Sequence, residues 1–116
     1  NFCAVRSEGV SPLSRFFEIS ADGELHCYLE DELPLVIGTG AAAHIRLAAG
    51  KAVEARIGLH EGRYLYLQLA TGATDVFHND TLISDSAWIK SGDRTRIGDQ
   101  ILQYRISGDR VEINLI

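Results

Sequence analysis

The sequence predicts an all-β domain, a sandwich or a barrel. Three observations carry that prediction. Short runs rich in β-branched and aromatic residues recur along the chain, glycine-bearing turns separate them at close spacing, and no helical period is sustained. The 116 residues fit one domain, and about ten or eleven mostly antiparallel strands fit within it.

Residues 1–13 lack clear periodicity and read as a tail or linker, in which Phe2-Cys3-Ala4-Val5 could form a short strand. The β domain is expected over 14–116. Arg15 to Ile19 and Glu24 to Leu29 flank Asp22-Gly23, a hairpin signal because both residues tolerate positive φ. Leu35-Val36-Ile37 follows Pro34 and stops at Gly38-Thr39-Gly40; His44 to Leu47 is the next short strand. Ala52 to His60 and Arg63 to Leu69 face each other across Glu61-Gly62. Val76 to His78 and Thr81 to Ile83 do so across Asn79-Asp80. Trp88 to Lys90, Arg94 to Ile97, Ile101 to Ile106 and Val111 to Ile116 complete the series, with Gly92-Asp93, Gly98-Asp99 and Gly108-Asp109 as turns. Ala-rich 40–53 is the one rival helical stretch, but Gly40 and Gly50 interrupt it, and a short helical turn is the most it allows.

Charge narrows the function. A formal net charge of −5 opposes nucleic acid and anionic membrane surfaces, both of which need a basic patch. No segment approaches the length of an apolar membrane span, and no cofactor is implied. The chain has no methionine, so it is expected to be a piece of a longer protein or a processed chain.

Catalytic and metal signatures are weak. His26, His44, His60 and His78 are scattered one per segment, without metal-ligand spacing. Gly38-Thr39-Gly40 lacks the remaining residues of a phosphate-cradling loop, and no Gly-x-Ser-x-Gly elbow surrounds any serine. A non-enzyme is expected. Cys27, inside Leu25-His26-Cys27-Tyr28-Leu29, reads as a buried free thiol, although pairing with Cys3 is arithmetically open. Trp88 reads as a core plug. Tyr64, Tyr66 and Tyr104 read as core or cross-strand packing, one face of which could meet a partner. Val111 to Ile116, if at a sheet edge, could pair with another chain.

Several motifs in order resemble one known family. Ile89-Lys90-Ser91-Gly92-Asp93-Arg94-Thr95-Arg96-Ile97-Gly98, followed by Ile101-Leu102-Gln103-Tyr104, is similar to the closing pattern of forkhead-associated (FHA) domains. Pro34-Leu35-Val36-Ile37-Gly38 resembles the strand that ends in that family's Gly-Arg. His44-Ile45-Arg46-Leu47 resembles the strand after it, and Asn79-Asp80-Thr81-Leu82-Ile83 its Asn-Gly turn. The resemblance runs from about Phe16 to Leu115 and implies an FHA-like (SMAD/FHA-type) β-sandwich.

It also implies a phosphothreonine site that this chain has lost. The family's phosphate-binding Arg falls on Thr39, its Ser on Glu54, its loop-buttressing His on Ile57, and its peptide-binding Asn-Gly on Thr74-Asp75. Only the later turn keeps its Asn, as Asn79. A phosphate dianion needs converging cations and donors, and carboxylates repel it. Thr39, Glu54, Arg56, Thr74 and Asn79 are therefore the candidate partner-binding residues, with phosphate recognition not expected. The resemblance implies a non-catalytic, phospho-independent interaction or scaffold domain of a larger, bacterial, multi-domain protein. Its partners would be proteins or other domains of the parent, and its location cytoplasmic, including as a soluble domain of a membrane-anchored protein such as a secretion-system inner-membrane ring. The alternative is a phosphothreonine-binding signalling module with a site rebuilt around Arg56 and Arg46.

Overall fold

The structure, a computed structural model, describes residues 15–116; the tail or short strand expected before them lies outside the described residues. Twelve strands form within the described residues, against the ten or eleven expected. They are β1 (Phe16–Ala21), β2 (Glu24–Leu29), β3 (Leu35–Gly38), β4 (Ile45–Arg46), β5 (Ala55–His60), β6 (Tyr64–Leu69), β7 (Val76–His78), β8 (Thr81–Leu82), β9 (Ser86–Trp88), β10 (Arg94–Ile97), β11 (Gln100–Ser107) and β12 (Arg110–Leu115). A single 3₁₀ turn, Glu30–Glu32, is the one helical element among them, and 40–53 is not helical.

Two sheets stack face to face. One runs β2-β1-β12-β11-β10-β7-β8 and the other β4-β3-β5-β6-β9. Most pairs are antiparallel. The exceptions are β1 with β12, which places Phe17 beside Val111 and Ile19 beside Ile113, and β3 with β4. β12 is thus an interior strand with a neighbour on each side, not an edge open to another chain.

The alternation of residue types decides which face is buried. Phe17 and Ile19 of β1 point inward with Val111 and Ile113 of β12, Leu102 and Tyr104 of β11, and Ile97 of β10. Leu35, Ile37, Ile57, Leu65 and Leu67 meet them from the other sheet. Each such side chain contributes about 1.5–3 kcal/mol on burial, so this shared layer holds the sandwich together.

The tight turns form where the residues allow them. Asp22 and Gly23 take φ of 52° and 78°, and Glu61 and Gly62 take 56° and 65°. Two boundaries differ from expectation. β5 starts at Ala55 rather than Ala52, because Lys51, Ala52 and Glu54 use their backbone groups to hold neighbouring loops. β9 ends at Trp88 rather than beginning there, since it pairs Tyr66 with Trp88 and Gln68 with Ser86.

Two further expectations are corrected. Trp88 is 56% exposed and plugs no core. Cys27 is disulfide-bonded rather than a free thiol, and it is half-buried on β2. Among the described residues no helix is long and apolar enough to cross a membrane.

Candidate functional site

Three loops gather at one end of the sandwich: 39–44 between β3 and β4, 47–54 between β4 and β5, and 70–75 between β6 and β7. Backbone geometry forces them together. The strand β3 ends at Gly38, where an added Cβ would lie 2.0 Å from the Ala52 carbonyl oxygen. Only glycine lets the 47–54 loop cross this close. Leu47 N–H then donates to the Gly38 carbonyl at 2.8 Å, and Gly40 N–H to that of Ala52 at 3.3 Å.

Thr39, Glu54 and Thr74 all belong to these loops. Thr39 is tied to the middle loop twice: its N–H donates to the Lys51 carbonyl at 3.1 Å, and its hydroxyl to that of Gly50 at 3.3 Å. Glu54 is 5% exposed, and its Oε1 accepts the Lys51 N–H at 2.6 Å. The Glu54 carbonyl accepts the Ala70 N–H at 2.9 Å, joining the third loop. The Lys51 ammonium donates to the Gly72 carbonyl and braces the same two loops from outside. Thr74 stays exposed on that third loop, beside Asp75.

The remaining candidates sit on strands and on a turn. Arg56 sits on β5 between Val36 and Gln68, on the solvent-facing side of the smaller sheet. Arg46 lies on β4 beside Gly38, and its Nη2 donates to the Ala41 carbonyl of the 39–44 loop at 3.0 Å. Arg46 thus stands beside the first loop of the cluster, whereas Arg56 projects from the outer face of the smaller sheet. Asn79 is at the far end of β7 from the 70–75 loop. There its Oδ1 accepts the Arg94 N–H at 2.9 Å, and its own φ is 50°. It serves a turn and does not join the loop cluster.

Sequence reasoning missed a buried polar chain in the larger sheet. His78 Nδ1 lies 2.9 Å from the Thr95 hydroxyl and its Nε2 lies 3.0 Å from Asp93 Oδ2. Thr95 also meets the Tyr104 hydroxyl at 2.8 Å. A hydroxyl, an imidazole and a carboxylate in line suggest nucleophilic chemistry, but Thr95 is fully buried and no substrate can reach it. The chain satisfies polar groups in the interior. Burial pushes the Asp93 carboxyl up, but hydrogen bonds from Asn79, the Lys90 N–H and His78 outweigh it and hold it below its ordinary value. Burial also pushes the Tyr104 phenol up, past the ordinary tyrosine range.

No protein-family model matches the chain, and no curated protein matches it in sequence. Solved structures do. The FHA domain structure of Rv0020c aligns with a TM-score of 0.53 at 17% identity, over 89% of this chain and 90% of that one. The FHA domain of the CT664 protein from Chlamydia trachomatis aligns with a TM-score of 0.56 at 11% identity, over 74% of this chain and 89% of that one. The chain thus has the FHA-like fold expected from its motifs, a two-sheet sandwich, although at these identities the likeness extends to the fold alone.

Proposed function

We propose that this domain is a non-catalytic protein-interaction module that does not depend on phosphothreonine. The FHA-like fold supports the first half, since that fold presents loops on a rigid sandwich. The observation that carries the second half is the Glu54 carboxylate, buried at the base of the loop cluster and bonded to the Lys51 N–H. A phosphate entering there meets a fixed carboxylate where the family resemblance calls for a hydroxyl donor. It also finds no arginine at Thr39, and the nearest ammonium is engaged with Gly72. A charge-assisted hydrogen bond contributes about 1.5–3 kcal/mol, so losing one and adding a like charge removes micromolar affinity.

Fluorescence anisotropy with a degenerate phosphothreonine peptide library and its unphosphorylated twin tests this reading. Equal, negligible binding of both pools is expected. Selective saturable binding of the phosphorylated pool contradicts it.

A further inference from the structure

The end of the sandwich opposite the loop cluster holds a half-open cavity of about 670 Å³ between the two sheets. This is within the range of pockets that take specific ligands, roughly 300–1,000 Å³. Its apolar lining comes from both sheets: Leu65, Tyr64, Trp88 and Ile89 from one side, Ile106 and Val111 from the other. Arg15 braces this end, its guanidinium donating to the Gly108 carbonyl at 3.3 Å and the Arg63 carbonyl at 3.0 Å.

Two features set this cavity apart from an accidental gap. Its aromatic residues form an exposed group. The Trp88 ring packs edge-on against Tyr64 at 6.1 Å and His60 at 5.7 Å, yet Trp88 is 56% and Tyr64 51% exposed. Exposed, pre-packed tryptophan and tyrosine are the residue types that anchor partners most strongly. The local charge is also the reverse of the molecule's. Arg15, Arg63 and Lys90 surround the opening with Glu61 as the one carboxylate among its described lining residues, on a chain whose net charge is −5.

We infer that this cavity binds an acidic segment of a partner protein that inserts a large apolar side chain between Trp88 and the Ile106–Val111 wall. The inference rests on the reading of this domain as a protein-interaction module. The apolar floor takes the side chain, and Arg63 and Lys90 take the flanking carboxylates.

The test is an amide-resolved NMR titration of the full chain with an unphosphorylated peptide carrying one tryptophan between glutamates and aspartates, beside a twin with lysine flanks. The acidic peptide is expected to shift the Trp88 indole N–H and the Leu65 and Ser91 amides saturably, and to bind more weakly at about 0.5 M salt than at about 0.05 M. Lys90→Glu should weaken it tenfold or more, and Trp88→Ala about thirtyfold. Both side chains are solvent-facing, so an unchanged amide spectrum elsewhere confirms that the variants fold.

Absence of a saturable shift, or equal binding of the lysine twin, overturns the inference. So do contacts from residues 1–14 to the Trp88 ring in the free protein, or peptide-independent shifts that grow with protein concentration, which assign the cavity to the chain itself or to a second copy. A phosphothreonine peptide that shifts Thr39 and Glu54 contradicts the earlier reading and leaves this one standing. A silent cavity with silent loops contradicts this one alone.

Discussion

The Glu54 carboxylate and the Lys51 main-chain N–H lie 2.6 Å apart, so the middle loop closes on an acid from within its own sequence. That bond, with the hydroxyl of Thr39 spent on the Gly50 carbonyl and the Lys51 ammonium spent on that of Gly72, uses internally the groups that a phosphate would need. The loop cluster is braced without a ligand.

Restoring the missing groups should restore binding. The double variant Thr39→Arg, Glu54→Ser places a guanidinium and a hydroxyl on the same loops and removes the repelling carboxylate. With each charge-assisted hydrogen bond contributing about 1.5–3 kcal/mol, phosphothreonine peptide affinity should rise at least tenfold over the parent by anisotropy. An unchanged signal from a folded double variant means that loop shape, not chemistry, excludes the phosphate.

Gly38→Ala should damage the loop cluster. The new methyl would lie 2.0 Å from the Ala52 carbonyl oxygen, a backbone atom that cannot rotate away. Overpacking of this kind costs about 1–3 kcal/mol. A lower urea midpoint is expected, with amide shifts concentrated at Thr39, Lys51 and Ala52. Gly23→Ala meets no atom nearby but keeps a φ of 78°, so its cost is confined to the turn and leaves those amides unmoved.

Thr95→Val keeps the side-chain shape and removes the hydroxyl between His78 and Tyr104. Two buried polar groups lose a partner at once, which costs about 1–3 kcal/mol for each group left unpaired. Chemical denaturation should show a lower midpoint with an unchanged slope. A variant as stable as the parent contradicts the structural role given to this chain.

Stability should fall at both ends of the pH range for different reasons. The Asp93 carboxyl is held below its ordinary value in the fold, so the fold favours its charged form. Its contribution is present above the unfolded value near pH 4 and is lost as pH falls through the lower folded value. Tyr104 is the opposite case. Its raised value means that the fold favours the neutral phenol. Its contribution is complete below the unfolded value near pH 10 and is lost as pH rises toward the folded one. Denaturation midpoints across pH should show the acid loss diminished in Asp93→Asn and the alkaline loss diminished in Tyr104→Phe.

Much of this fold is legible in the sequence because its turns are local. Asp22-Gly23 and Glu61-Gly62 announce positive φ, and the alternation in Tyr64–Leu69 marks which face is buried. What is not legible depends on distant partners. The parallel pairing of β1 with β12 joins residues more than ninety positions apart and carries no local signal. Nothing in a three-residue strand tells its two faces apart, so the sequence reads Trp88 as core; paired with Tyr66, it lines the cavity and stays 56% exposed. His78 looked like one of four scattered histidines, since its partners Asp93, Thr95 and Tyr104 arrive from the turn before β10, from β10 and from β11. In the candidate site, Glu54 was expected as a misplaced anion, but its bond to Lys51 appears only when the loop is folded. The family resemblance groups Arg56 and Asn79 with it, but the sheet places one on an outer face and the other at the far end of β7.

The most direct test of the central claim is an NMR titration of the unmodified chain with phosphothreonine peptides and their unphosphorylated twins, read at Thr39, Lys51, Glu54 and Thr74. The internal closure of the loops by Glu54 predicts that those amides stay in place with either pool. Saturable shifts at these four residues with the phosphorylated pool alone would show that the loops still read phosphate, and would contradict the account.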